Sequence, residues 1–218
     1  MKKKCSQCGL VNFAAADNCV RCNAVLTNVT GTPVEKRSWA GWLLVRSGAV
    51  VMTSVVIIAG FYLSLITSAE RLSYEQKATV NRAIDIIRAK GFDTEAMILS
   101  RFTAYRASDN WLNASVAKES AYAATNFPFE IMTLYPDFFT YPVDDVEKAA
   151  ILLHEARHLM GEGEKDAYEF VWKNRSRLGW TEANYGVSPV WTNVRDQTRE
   201  NVPELFTCTD KPLGDCTE

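Results

Sequence analysis

Residues 144–172 read DDVEKAAILLHEARHLMGEGEKDAYEFVW, and this stretch decides the fold expected for the larger part of the chain. Asp144, followed three residues later by Glu147, is typical of a helix N-terminus with a capping box. Residues 149–160 are strong helix formers with one apolar face. Glycines then interrupt the pattern, and a second amphipathic helix is expected over 164–178. The stretch therefore predicts two helices joined by a short glycine turn.

The first of these helices carries a pattern suited to metal chemistry, with His154, Glu155 and His158 in one run. Residues four apart lie on the same side of a helix, so both imidazoles can reach one metal ion. Glu155 is close enough to contact a water at the metal without being a ligand. These two are the chain's only histidines, so general histidine richness does not explain the match. The alternative is a core helix whose histidines are simply hydrogen-bonded.

A catalytic zinc takes three protein ligands and keeps one position for water, so a third ligand is needed. Glu164 is the first candidate, because a glycine at 161 permits the sharp reversal that so short a span requires. Asp166 and Glu169 are alternatives, since the second helix can also present either of them. Each of these acidic residues can instead belong to a solvated helix face.

The run from His154 to Glu164, HEARHLMGEGE, resembles the extended zincin motif HExxHxxGxx, with Glu in place of the third His or Asp of the metzincins. The chain has no methionine after Met160, whereas metzincins carry one in a Met-turn, so the resemblance is to zincins in the broad sense. It implies an α+β zincin-like domain that hydrolyses peptide bonds in a peptide or protein substrate. It also implies a zinc-activated water, with Glu155 as the general base.

Four cysteines near the N-terminus form two C-x-x-C pairs separated by ten residues: Cys5, Cys8, Cys19 and Cys22. Two such pairs complete a tetrahedral structural zinc site, the alternatives being redox pairs or disulfides. The run resembles short zinc ribbons of bacterial membrane proteins and the Ran-binding-protein type zinc finger, which also has an asparagine at the position of Asn12. The resemblance implies a cytoplasmic protein partner. Nucleic acid is not expected, because only lysines precede Cys5 where that finger has a tryptophan.

Residues 47–69 contain 23 residues without a charge. As a helix they span about 34 Å, enough for a hydrocarbon core of about 30 Å, so we expect a transmembrane helix. The alternatives are a buried core helix or a cleaved signal peptide. Residues 1–46 hold seven basic and two acidic residues, a net charge of +5; the whole chain carries −2, so residues 70–218 carry −7. The positive-inside rule then places the N-terminus in the cytoplasm and residues 70–218 outside it.

The expected organisation is a zinc ribbon at 1–26, a basic linker at 27–46, the membrane helix at 47–69 and a metallopeptidase domain at 70–218. Two zinc ions are expected, one structural and one catalytic. Cys208 and Cys216 are expected to form a disulfide, which suits an oxidising compartment. The competing hypothesis is a non-catalytic, membrane-tethered binding or signalling protein whose outer domain only has a zincin-like shape.

Further elements are expected from local patterns in residues 70–218. A helix is predicted at 73–90, and strands at 96–106 and 129–135, the second as an edge strand that aligns a peptide. Residues 135–142, YPDFFTYP, are expected to form an aromatic loop beside the cleft. The tail from residue 188 onward is expected to be irregular.

Overall fold

The computed structural model of the chain describes residues 2–26, 39–115, 122–126, 128–207 and 216–217. The chain divides into two compact units, Met1–Val55 and Val56–Glu218. Helices and small sheets occur together, which confirms the α+β class. The zincin-like form of the larger domain stays a prediction.

The N-terminal unit opens with a small antiparallel hairpin of two strands, β1 (Lys2–Lys4) and β2 (Val11–Phe13). The buried apolar cluster beside it consists of Cys5, Cys19 and Leu26. So little apolar surface cannot offset the loss of chain entropy on folding. A cross-link through the cysteines is the physical means by which such a module is stabilised.

One long helix, α1 (Trp39–Thr67), contains the expected membrane segment. It is 29 residues long, and among the described residues it is the one helix long and apolar enough to cross a membrane. It begins at Trp39, so residues 39–46 of the expected linker are helical. Residues 27–38 of that linker lie outside the described residues.

The C-terminal unit contains a three-stranded sheet of β3 (Ala104–Arg106), β4 (Ala123–Asn126) and β5 (Ile131–Leu134). The strand order is β3–β5–β4. The central strand β5 runs parallel to β3 and antiparallel to β4. The strand expected at the edge, 129–135, exists as β5, but that expectation of an edge position was wrong, because β3 and β4 are the two edge strands.

Seven α-helices follow the last turns of α1 among the described residues of this unit. They are α2 (Tyr74–Ala89), α3 (Asp93–Met97), α4 (Pro136–Thr140), α5 (Asp145–Leu159), α6 (Glu164–Leu178), α7 (Glu182–Tyr185) and α8 (Pro189–Asn201). The expected helices at 73–90 and 164–178 are confirmed as α2 and α6. Ser73 and Gln76 form a complete capping box before α2, and Gly179, at φ +88°, ends α6 in the left-handed conformation.

Helix α5 lies in the core, packed against α2, α6 and the edge strand β4. A tryptophan cluster closes the other side of α6, formed by Trp172, Trp180 and Trp191 with ring centroids 4.8–6.2 Å apart. All three indoles are at most 1 % exposed, so truncating one to alanine should cost about 3–5 kcal/mol. The core therefore holds α5 rigidly on three sides, and the functional side chains on it are placed with little freedom.

Three further sequence expectations were wrong. Residues 96–102 are not a strand: α3 and a π-helical turn, Ile98–Phe102, occupy them, and the strand begins only at Ala104. The aromatic segment 135–142 forms the short helix α4, started by a proline at its first turn, and Phe138 is buried in the core. Over residues 189–201 the tail is not irregular either, because Ser188 caps the helix α8, whose buried face includes Val190, Trp191 and Thr198.

Candidate functional site

The helix that carries the histidines starts where the sequence places it. The Asp144 side chain accepts hydrogen bonds from the backbone N–H groups of Val146 and Glu147, at 2.9 and 3.1 Å. The fully buried Glu147 carboxylate accepts from the N–H of Val143 at 2.9 Å, one residue before the cap, and from the indole N–H of Trp180 at 3.3 Å. These bonds satisfy donors that a helix start leaves without partners and tie α5 to the tryptophan cluster.

Two imidazoles and one carboxylate converge at the other end of α5. His154 Nε2 and His158 Nε2 lie 3.1 Å apart, and Glu164 Oε2 lies 3.3 Å from the first and 3.4 Å from the second. Ligand atoms placed tetrahedrally 2.0–2.1 Å from zinc are separated by about 3.3–3.4 Å. The three atoms therefore have the spacing of three corners of a zinc coordination tetrahedron.

The outward nitrogen of His158 also suits a metal centre. His158 Nδ1 lies 2.9 Å from the carbonyl oxygen of Glu162. A carbonyl can only accept, so Nδ1 donates, and Nε2 is the nitrogen that can bind a metal once it has lost its proton, the arrangement found in metal-ligating histidines. His154 Nδ1 is buried and has no hydrogen-bond partner among the described residues, and its ring packs against Tyr168 with centroids 4.3 Å apart.

The pKa values show how strongly these groups interact. Burial disfavours the charged imidazolium of His158, but hydrogen bonds to the Glu164 carboxylate and the Glu162 carbonyl outweigh it and raise the pKa of His158 to about 9. Hydrogen bonds from His154 and then His158 hold the pKa of Glu164 well below its usual range. The site thus keeps a carboxylate anion facing two nitrogen ligands, which is a donor set suited to a divalent cation.

A glycine turn brings Glu164 back toward the histidines. Gly161 has φ +84°, a left-handed conformation that lets the chain reverse after α5 and begin α6 at Glu164. Arg157 holds this turn, because its guanidinium is hydrogen-bonded to both carboxylate oxygens of Glu162 and, at 2.9 Å, to Glu95 Oε1. Glu162, whose carbonyl orients His158, is therefore fixed by its ion pair with Arg157.

Neither alternative third ligand lies with the histidines. Asp166 is exposed on the first turn of α6, and Glu169 forms an ion pair with Lys173 one turn further on. Among the described residues, the histidine-containing group whose ligand atoms lie within 4.8 Å of one another consists of His154, His158 and Glu164, without Asp166 or Glu169.

Glu155, the expected base, is 7 % exposed and lines the same cavity as His154 and Glu164. Its Oε2 accepts a hydrogen bond of 2.6 Å from Thr125 Oγ1 on the edge strand β4. A cavity of about 300 Å³ opens here between α5, α6 and α8. His154, Glu155, Glu164 and Tyr168 all line it.

A row of side chains on α8 forms the opposite wall of this cavity. The Tyr168 hydroxyl donates to Gln197, whose amide donates to Asn193 Oδ1 at 2.9 Å, and Tyr122 lines the same cavity. Sequence reasoning missed this wall because it expected the segment of α8 to be irregular and left β4 unassigned. The helical spacing of Asn193, Gln197 and Asn201 was a usable signal for one polar face.

The four N-terminal cysteines form a second cluster, and its two halves repeat the same local structure. The N–H of Gly9 donates to the carbonyl of Cys5 at 3.0 Å, and the N–H of Asn23 donates to that of Cys19 at 2.9 Å. Gly9 and Asn23 both have positive φ. The Sγ atoms of Cys5 and Cys22 lie 3.5 Å apart, as do those of Cys8 and Cys19, close to the roughly 3.7 Å of a tetrahedral zinc–thiolate site.

Electrostatics in this cluster also favour a cation. Backbone N–H groups of Cys22 and Arg21 lower the pKa of Cys19 to about 6. The N–H of Ala24 lowers that of Cys22, but the sulfurs of Cys5 and the others outweigh it and raise the pKa of Cys22 to about 12. Four thiolates at this spacing repel one another unless a metal ion neutralises them. The tetracysteine cluster can therefore hold a metal such as zinc.

Asn12 supports the half of this cluster formed by Cys19 and Cys22. It is buried, its side-chain amide lies 3.7 Å from Cys19 Sγ, and its Oδ1 accepts from the N–H of Val20 at 3.1 Å.

Cys216 is disulfide-bonded, and its backbone N–H donates to the carbonyl of Leu205 at 2.8 Å. Its expected partner, Cys208, lies outside the described residues. The cysteines of the N-terminal cluster are free thiols, so cysteine chemistry differs between the two ends of the chain.

Comparison of this chain with protein-family models, with curated proteins and with solved structures finds no match.

Proposed function

We propose that this chain is a membrane-anchored, zinc-dependent peptidase. The observation that carries the proposal is the convergence of His154, His158 and Glu164 within 3.1–3.4 Å of one another, beside the buried carboxylate of Glu155 and an open cavity. Two nitrogens and one carboxylate oxygen, with one side open, form the ligand set of a catalytic rather than a structural zinc site.

The residues around the cavity divide the chemical work. Zinc held by His154, His158 and Glu164 would polarise a scissile carbonyl and lower the pKa of the attacking water. Glu155 would take the proton of that water and pass it to the leaving amine. Thr125 occupies Oε2 of Glu155, so Oε1 is the oxygen left for the transfer, and the edge strand β4 would pair with the substrate backbone.

The rest of the chain would place this chemistry at a membrane. Helix α1 is the proposed single-pass anchor, with the basic N-terminal side in the cytoplasm and the catalytic unit outside it. The tetracysteine cluster is the proposed structural zinc site, and it would present a cytoplasmic surface to a protein partner.

Metal content and cleavage, measured on the full chain in lipid nanodiscs, test the proposal together. The wild-type protein should carry two zinc ions per chain and cleave members of a mixed peptide library read by mass spectrometry. Glu155→Gln should keep both zinc ions and lose about 10²–10⁴-fold in rate, because the proton acceptor is gone while the ligands remain. Glu169→Gln is the matched control, since that carboxylate is paired with Lys173 outside the cavity lining, and it should keep the wild-type rate.

The alternative function gives a different result in the same experiment. Two zinc ions without cleavage of any peptide would favour a non-catalytic binding or signalling protein. One zinc ion, retained when His154 is replaced by alanine, would mean that the histidine cluster is not a metal site and would overturn the peptidase proposal.

A further inference from the structure

The last turns of α1 are held by the C-terminal unit instead of standing free. The ring of Phe61 packs edge-on against Trp111, with centroids 5.4 Å apart, and against Phe129 at 5.1 Å. Leu65, one turn further along, is completely buried. One face of the helix over residues 61–65 is therefore part of the C-terminal unit.

Hydrogen bonds fix the same contact. The indole N–H of Trp111 donates to Ser64 Oγ at 3.2 Å, and its backbone N–H donates to Ser68 Oγ at 3.3 Å. Arg106 Nε donates to the carbonyl of Ile66 at 3.1 Å. The polar groups at this contact thus find partners within the protein, which is the requirement for placing them near lipid, where water is scarce.

The opposite face of the same turns is apolar and open. Leu63 is 57 % exposed and continues an exposed face of the helix that contains Ala59 and Val56, four and seven residues earlier. Leu63 lies two residues beyond Phe61, which is only about 3 Å along the helix axis. If α1 crosses a bilayer, lipid must still cover Leu63, so lipid is present at the height at which Trp111 and Phe129 pack against the helix.

On the basis of the membrane anchor proposed above, we infer that the C-terminal unit rests in the lipid headgroup layer through Trp111 and Phe129. Trp111 is 48 % exposed although its N–H is satisfied by Ser64, so the open part of the side chain is ring surface. A tryptophan with an apolar ring and a satisfied N–H is the side chain that favours the membrane–water interface. The partner of this surface is the lipid itself, continuous with the lipid around α1.

Tryptophan fluorescence of the full chain in phosphatidylcholine vesicles tests this contact, because the six tryptophans differ in location. Trp172, Trp180 and Trp191 are core residues at most 1 % exposed, and Trp39 and Trp42 lie in the N-terminal half of α1. In a W39F/W42F background, Trp111 is the one remaining exposed tryptophan. Brominated acyl chains should then quench about a quarter of the emission, since Trp111 is one of four indoles left.

Two further variants make the test decisive in this background. Trp111→Phe keeps a ring beside Phe61 and should abolish the quenching, and adding Phe129→Trp should restore it. Iodide dissolved in the water should leave most of the Trp111 emission that brominated lipid quenches unchanged. Quenching of Trp111 by iodide but not by brominated lipid would overturn the inference while leaving the peptidase proposal standing. Failure of the chain to float with the vesicles would overturn the membrane anchor and this inference together, and zinc-dependent cleavage would remain testable in detergent.

Discussion

A single hydrogen bond constrains the proposed chemistry at the scale of the residue. Thr125 Oγ1 donates to Glu155 Oε2 at 2.6 Å, so the edge strand sets the orientation of the proposed base. A hydrogen bond to a charged group is worth about 1.5–3 kcal/mol, more than a neutral one. The geometry of β4 is therefore transmitted directly to the carboxylate.

Thr125→Val removes this donor while keeping the shape and the strand preference of the side chain. We expect kcat to fall about tenfold, equivalent to about 1.4 kcal/mol of barrier, with zinc content unchanged. Steady-state kinetics on one cleaved peptide measures the effect, and Thr125→Ser, which keeps the hydroxyl, should stay near the wild-type rate. An unchanged kcat in Thr125→Val would show that the bond does not position the base.

The choice of third ligand also belongs to single residues. Glu164 Oε2 lies within 3.4 Å of both histidine nitrogens, whereas Asp166 is exposed and Glu169 is paired with Lys173. Glu164→Ala should therefore weaken zinc binding at the site of His154 and His158 by roughly a hundredfold or more. Even residues that only hydrogen-bond to a metal ligand contribute about 10–100-fold to metal affinity. Asp166→Ala should retain both zinc ions.

Competition with a zinc-binding indicator dye measures these affinities, with the tetracysteine site as an internal reference. Two zinc ions retained in Glu164→Ala, together with loss of one in Asp166→Ala or Glu169→Ala, would show that the ligand assignment is wrong.

At the scale of the element, α5 is fixed to α2 by charges at its first turn. Arg82 Nε donates to Asp145 Oδ2 at 2.7 Å, and Lys148 Nζ lies 3.3 Å from Oδ1 of the same carboxylate. Burial would raise the pKa of Asp145, but the hydrogen bond from Arg82, with help from Lys148, lowers it below 3.8. The negative charge also suits the positive end of the α5 dipole.

The lowered pKa of Asp145 determines how the stability of the fold changes with pH. A carboxyl group whose pKa is depressed in the folded state contributes stability above its unfolded pKa and loses the contribution as pH falls through the folded value. Asp145→Asn should therefore lower the free energy of unfolding near pH 7 by about 0.5–1 kcal/mol, a value limited by solvent screening of the exposed Arg82. The difference from wild type should shrink as pH falls below 3.8.

Thermal unfolding followed by circular dichroism, in nanodiscs across this pH range, measures the difference. Asp85→Asn is the control, because Asp85 pairs with Arg88 on the open surface of α2 and is 70 % exposed. A gap between Asp145→Asn and wild type that stays constant with pH would contradict the linkage.

Helices with strong end signals were predictable from sequence, and elements without them were not. Caps and glycines indicated α2, α5 and α6. Of these, α5 and α6 bring His154, His158 and Glu164 to one place through i, i+4 spacing and one left-handed glycine. The edge strand β4 reads AATN, four residues with no clear alternation, and so gave no signal in isolation. Its register is set by pairing with β5, which is tertiary information.

Helix α8, unlike β4, does carry sequence signals for its start. Ser188 and the following proline are ordinary helix-start signals, but the polar composition after Trp191 concealed the buried face. Residues 96–102 looked like a strand because apolar residues are frequent there, yet they pack as helical turns against α2 and α5. Short apolar runs do not distinguish strands from buried helical segments.

On the scale of the whole molecule, a short path joins the proposed lipid contact to the proposed base. Trp111 follows Asn110, whose side chain donates to Asn126 Oδ1 at 2.9 Å at the end of β4. Thr125 precedes Asn126 and binds Glu155. The backbone steps and hydrogen-bonded side chains along this path add up to at most about 25 Å between Trp111 and Glu155. The proposed cleft would therefore face chain segments close to the bilayer surface.

This proximity predicts a preference for substrates that are themselves bound to the membrane. A peptide cleaved in solution should be cleaved at least about tenfold faster when a lipid anchor attaches it to the vesicles that carry the full chain, because tethering raises its effective concentration at the cleft. An extended strand rises about 3.3 Å per residue, so the favoured bond should lie within about eight residues of the anchor. Mass spectrometry of the products locates the cut. A spacer of about 30 flexible residues should remove most of the advantage, and equal rates for the anchored and free peptides would mean that the cleft does not work at the lipid surface.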